Sequence, residues 1–298
     1  MTNKYRALVT DDNGGDDADA DEEKALAAAG CVTAIRRILE ACNKDKIGLR
    51  QILPIIYPIL LHSLTPDGLD CIDEGLDCIN IFVYYACDRE SRVPAELWKL
   101  LPQMIYITAG NDNDVDGGFA FEMLGQVAIC IQNFIAKDPQ TLMSVGEEQT
   151  ETYFALVVKF MQRILVVNSG SRHKQDGVTV LRVMIALLEN LPGQIDAQLP
   201  FLVGMLLAEL KVAFESSCPS NYRAMLLQSI AMALFNSNAT TLAIIENEQQ
   251  TFAVFSNWLQ FMDHFKLEFE FRRIIFGLLA ILRVPGGQMP QLVQQQLP

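Results

Sequence analysis

Histidine is scarce in this chain. There are three, His62, His173 and His264, far apart in the sequence. No two share a helix face with cysteine or aspartate at the spacing a metal site needs, so no metal site is expected. Seven cysteines form no CxxC pair, and their odd number argues against a disulfide framework. Scattered among apolar residues, they read as reduced core thiols of a cytosolic or nuclear protein. No P-loop and no GxGxxG is present, which removes the common nucleotide-binding turns. Ser171-x-x-Lys174 stands in a polar loop without the companion motifs of a serine acyltransferase. Aromatic residues make up only 8%. The longest apolar runs, Ile52–Leu61 and Leu199–Ala208, fall far short of the ~18 residues of a membrane span. Met1–Thr10 has no apolar core of the kind that marks a secretory signal. The expectation is therefore a soluble protein with no catalytic, cofactor or metal site and no membrane partner.

What the chain does have is aliphatic content and acid. Half of it is hydrophobic, most of that Leu, Ile, Ala and Val, a mixture suited to helix-on-helix packing. Formal net charge is −13. Eight acids lie between Asp11 and Glu23 with no base among them, and without them 28 acids face 23 bases. Such a field repels nucleic acid phosphates and favours basic proteins.

Apolar residues recur at helical period from Lys24 onward. Leu69, Ile72, Leu76, Ile79 and Val83 step by three or four, which predicts a helix with one buried stripe. Further helices are expected over 47–61, from Pro94 to about Gly110, and over 119–136, 150–167, 175–191, 195–214, 222–235, 252–265 and 268–284. First helices of successive pairs start near 24, 69, 119, 175, 221 and 267. Second helices carry a recurring Leu-Pro, at Leu53-Pro54, Leu101-Pro102 and Leu199-Pro200. Helix pairs at such a period are the HEAT and armadillo pattern. The expected fold is all-α, a HEAT-repeat α-solenoid of about six antiparallel pairs, because one pair cannot cover its apolar face and needs the next. The expected organisation is a helix fragment and disordered acidic loop over 1–23, the solenoid over 24–284, and a polar tail over 285–298. Met1–Thr10 reads as a helix whose partner is missing, and the whole as a piece of a longer array.

Two groups of acids are candidate binding residues. The first is Asp11, Asp12, Asp16, Asp17, Asp19, Asp21, Glu22 and Glu23, either a spacer or a contact for a basic partner. The second is Asp70, Asp73, Glu74 and Asp77, at i, i+3, i+4, i+7 on the third helix. These four are either a solvated face or a stripe that holds a basic peptide or domain.

Several stretches resemble one family in their order and spacing. Asp21-Glu22-Glu23-Lys24-Ala25 follows an acidic segment. Val93-Pro94 precedes Trp98-Lys99-Leu100-Leu101-Pro102, with the first proline one place early. Gly118-Phe119, Arg223, Met225, Leu227-Gln228 and Ala233-Leu234 follow, then Trp258-Leu259, Asp263, Phe265, Arg272-Arg273 and Gly277-Leu278. The chain resembles the importin-beta (karyopherin-beta) nuclear transport receptors over nearly its whole length, closest to the importin seven and importin eight branch and to their central to C-terminal repeats. The resemblance implies a receptor that binds basic cargo and phenylalanine-glycine nucleoporins, shuttles between cytoplasm and nucleus, and responds to Ran-GTP. It also implies that the main Ran site lies outside this stretch. A HEAT scaffold subunit of a multiprotein complex is the alternative.

Overall fold

The computed structural model describes residues 1–10, 18–111, 117–147, 149–167, 174–215 and 218–285. Among them the chain is all-α and of the HEAT-repeat solenoid class, with no strand beyond an isolated bridge between Val145 and Thr152. The helices are α1 (Thr2–Thr10), α2 (Ala18–Ala41), α3 (Lys46–Ser63), α4 (Ile72–Ala86), α5 (Ala95–Ala109), α6 (Leu124–Lys137) and the short α7 (Pro139–Leu142). After these come α8 (Tyr153–Val167), α9 (Lys174–Asn190), α10 (Leu199–Glu215), α11 (Ser220–Asn236), α12 (Asn238–Asn247), α13 (Thr251–Gln260) and α14 (Glu268–Leu282). No single described helix is long and apolar enough to cross a membrane. The chain divides into two compact units, Met1–Arg163 and Ile164–Pro298.

In the first unit, α2, α4 and α6 lie side by side as one row, and α3 and α5 pack against α4 and α6. The sequence dictates this sidedness. On α3 the buried residues Leu49, Leu53, Ile56, Leu60 and Ser63 follow the helical period, while Pro54 and Pro58 fall on the exposed side. There the backbone bonds that each proline deletes face water. On α4, flanked by helices on several sides, nine of the fifteen residues are buried. The α3–α4 crossing is tight enough that a Cβ added at Gly75 would lie 2.1 Å from Ser63 Oγ. Asp45 caps α3 by accepting from Gly48 N–H at 2.9 Å, and Gly110, at φ 68°, ends α5. Buried Asp138 accepts from Trp98 Nε1 at 3.4 Å and from Thr141 N–H at 3.2 Å, so one carboxylate both caps α7 and anchors the indole.

In the second unit, α9, α11 and α14 form the row, with α10 and α12 packed alongside. Every residue of α11 from Ala224 to Leu234 is buried, including Gln228 and Ser229. Gly277 of α14 meets α11 so closely that an added Cβ would lie 2.8 Å from Ala231 Cα.

Four expectations change. First, Ala18–Glu23 is the opening of α2 rather than loop. Alanine, at 18 and 20 and from 25 onward, propagates a helix well. Second, α1 has a partner: it packs on α2, buries Tyr5, and places the Tyr5 hydroxyl 2.7 Å from His62 Nδ1. The closest pairs of consecutive helices are accordingly α1–α2, α3–α4 and α10–α11, one helix out of phase with the pairing read from the sequence, with α11–α12 and α5–α6 packed less closely. Third, Pro200 is not equivalent to Pro54 and Pro102. It sits at the second residue of α10, whereas the other two lie inside their helices. Residues 195–198 are turn, which moves the start of that helix to Leu199. Fourth, α12 was not expected, and it is α12 that packs on α10 and α11.

Candidate functional site

The acidic group on the third helix lies on the α2–α4–α6 row. Asp70 precedes α4, in the 3-10 turn Pro66–Cys71, and is exposed. Asp73 and Glu74 occupy the first turn of α4, where the helix dipole favours them. The carboxylates are not left as a uniform acidic stripe. Glu74 Oε1 accepts from Thr33 Oγ1 of α2 at 3.0 Å, and Arg36 Nη1 of α2 lies 3.4 Å from Asp77 Oδ2. Asp73 accepts from the Gln126 amide of α6. Arg36 also holds Glu40 at 2.7 Å. Two acids therefore turn toward α2 and one toward α6, because each neighbouring helix presents a donor at the height of the carboxylate. Partial burial raises the Asp77 pKa. Arg36 opposes the shift, while Asp73, Glu40 and Glu74 add to it.

Further along the same helices, Asn133 donates to Asn80, and Lys137 stands 4.7 Å above the exposed Tyr84 ring. The polar contacts keep a constant register: 41 residues between α2 and α4, 53 between α4 and α6. The sequence reading missed Thr33, Arg36, Gln126 and the asparagine pair. A polar side chain placed one repeat away from each acid was the available signal.

Of the acidic segment, Asp11, Asp12, Asp16 and Asp17 lie outside the described residues. Asp19, Asp21, Glu22 and Glu23 lie on the first two turns of α2, and Glu23 is exposed.

A second feature, unmarked by any motif, is a pocket of about 360 Å³ between the C-terminal ends of α11 and α14 and the start of α12. Phe235 and Phe276, both in its lining, stack directly on each other, with ring centroids 5.2 Å apart at 23°. Leu279 and Arg283 add to its lining.

Several buried titratable groups are held in place by the packing around them. Burial pushes the Cys78 and Cys130 thiols up to about 12, so neither is a thiolate at neutral pH. Burial also raises the Tyr222 phenol, aided by Glu209, which accepts from its hydroxyl at 2.6 Å. Lys174 Nζ lies 3.3 Å from the same Glu209 carboxylate and 4.8 Å over the Tyr222 ring. Lys174 is thus engaged by α10 and α11, while Ser171 and His173 lie outside the described residues. Among the described residues no three His, Cys, Asp or Glu side chains are grouped to hold a metal ion.

The chain is similar to the Importin beta-like SAD2 homolog of Arabidopsis thaliana, at 24% identity over 299 residues. The match covers 97% of this chain and 27% of that protein. It supports a relation to the importin-beta family. The chain spans about a quarter of the length of this importin beta-like relative. No family model matches the chain, and no solved structure matches it. Relation to an importin beta-like protein agrees with the architecture: stacked helices whose row of close-packed members carries charged side chains on its surface.

Proposed function

We propose that the chain is a non-catalytic segment of a nuclear transport receptor that shuttles between cytoplasm and nucleus. The observation that carries the reading is the match to an importin beta-like protein across 97% of the chain. The charge supports it as well: an acidic chain with exposed carboxylates on the α2–α4–α6 row suits a partner rich in Lys and Arg. In this reading basic cargo contacts Asp70, Asp73, Glu74, Asp77 and the acids of 11–23. Phenylalanine-glycine nucleoporins make weak apolar contacts, and Ran in its GTP form controls release from a main site outside this stretch.

The test is capture on immobilised phenylalanine-glycine repeats and on a basic protein, with and without Ran-GTP. The receptor reading expects retention on the repeats that resists salt, and on the basic protein that salt abolishes. Binding of the basic protein alone would instead favour a scaffold subunit of a multiprotein complex.

A further inference from the structure

In the second unit one side chain reaches across a whole helix. Arg273 lies on α14 and Glu189 on α9, and α11 is the middle member of that row. Arg273 Nε nonetheless donates to Glu189 Oε1 at 2.8 Å. On the way over, Arg273 Nη1 donates to Gln228 Oε1 of α11 at 3.2 Å. Gln228 Nε2 in turn donates to Glu270 Oε1 of α14 at 3.3 Å. The Phe269 ring backs the guanidinium at 5.3 Å. One cation therefore joins all three helices of the row.

The first unit is built differently. There Thr33, Arg36 and Gln126 all bond to the middle helix, and Asp73 and Tyr84 of that helix stay exposed. In the second unit every residue of the middle helix from Ala224 to Leu234 is buried, Gln228 completely. A side chain laid across the row accounts for the difference at Gln228.

Reach decides what the bridge requires. Helices packed side by side stand about 9 Å apart, so the first and third of a straight row stand about 18 Å apart. Their Cα atoms lie about 2.3 Å off each axis, which leaves roughly 15 Å between Cα atoms on the inner shoulders of the two. With bonds of about 1.5 Å, an arginine joined through Nε to a glutamate spans roughly 12 Å between Cα atoms. The pair closes because α9 and α14 lean together over α11. Gln228 then gives the arrangement two states. With Arg273 in place its carbonyl is both dry and satisfied. Without Arg273 the carbonyl is a buried acceptor with no donor, a cost that only the entry of water removes.

We propose that Arg273 and Glu189 form a clasp that holds the α9–α11–α14 row bent over α11, and that undoing the clasp lets the row straighten and bares Gln228. The width of this face, and so the size of partner it admits, is set by the clasp and not by the helices alone. Salt acts on it, because the Arg273 and Glu189 side chains are 21% and 36% exposed and 1 M salt shortens the reach of a charge to about 3 Å. The proposal does not rest on the transport reading.

A distance measured between spin labels on the two outer helices tests it. The labels go on Arg182→Cys of α9 and Glu268→Cys of α14, both exposed positions, with Cys42 and Cys218, the cysteines that are not buried, changed to Ser. Arg273→Met should lengthen the distance by about 3 Å, the stretch that the clasp takes up. Glu189→Gln should do the same. Salt at 1 M should lengthen the distance in the parent and leave Arg273→Met where it was. Arg272→Met, which removes a neighbouring exposed charge, should change nothing. An unchanged distance in Arg273→Met, with the thermal unfolding curve of the parent, overturns the proposal. So does an equal lengthening in Arg272→Met, or a salt response that Arg273→Met retains. If Arg273→Met does not fold, Glu189→Gln at the surface carries the test: lengthening supports the clasp and the parent distance refutes it.

Discussion

At the scale of single residues, the informative ones are polar groups set between helices. Glu209 accepts from Tyr222 and lies beside Lys174, and Lys174 is 9% exposed. Each member satisfies another, so deletions are unequal. Tyr222→Phe removes one hydrogen bond to a charged acceptor and leaves the ring on Lys174; it should cost about 1.5–3 kcal/mol. Lys174→Met leaves the partly buried Glu209 carboxylate without its cation and should cost more than Tyr222→Phe. Urea midpoints of the two variants, at constant slope, give the order directly. Asp77 makes a pH prediction. Its folded pKa is raised above the ordinary 3.8, so its contribution to stability is complete below 3.8 and is lost as the pH climbs through the higher folded value. Asp77→Asn should therefore flatten the loss of stability just above pH 3.8. A variant whose stability falls there as steeply as the parent would assign that slope to other groups.

At the scale of elements, close approach sets the tolerances. Ala at Gly75 must displace Ser63 at the α3–α4 crossing, and Ala at Gly277 must push on the α11 backbone. Ser63 is fully buried and its Cβ, 2.6 Å from the added carbon, moves only with the α3 backbone, so both substitutions should cost about 1–3 kcal/mol for overpacking, Gly75→Ala the more. Differential thermal melts decide the order. Elements were also where the sequence was most legible, and the reasons are local. The row helices α4, α9, α11 and α14 begin within a few residues of their expected starts, because a buried stripe imposes a period that any reader can count. Which helix each one pairs with is not a local property. Both neighbours in sequence offer an apolar face, and the choice of α3 rather than α5 for α4 is made by the tight turn and Gly75, which no period reveals. α12 escaped for a different reason: Asn238-Ala239-Thr240-Thr241 opens it with residues that favour loops, and packing on α10 and α11 outweighs that preference. The acidic group was legible as residues and not as a surface. Its partners Thr33, Arg36 and Gln126 come from helices 41 and 53 positions away.

At the scale of the molecule, charge is the property that acts over distance. A chain of net charge −13 draws a basic partner toward it before any contact forms, and salt shortens the reach of that pull to about 10 Å at 0.1 M. The candidate acids should contribute to this in two distinguishable ways. Asp73→Lys with Glu74→Lys changes charge where neighbouring donors fix the geometry. It should weaken binding of a basic protein in both association and dissociation, with the far-ultraviolet helix signal intact. Replacing Asp11, Asp12, Asp16 and Asp17 with Asn removes four carboxylates ahead of α2 and keeps the full connection between α1 and α2. If those acids act through the long-range field, the replacement should slow association, shallow the dependence of log affinity on log salt, and leave the dissociation rate near its parent value. Rate measurements across a salt series separate the cases. An unchanged slope after the replacement would make 11–17 a spacer, and unchanged affinity after the double reversal would make Asp73 and Glu74 parts of an interhelical seam with no partner to hold.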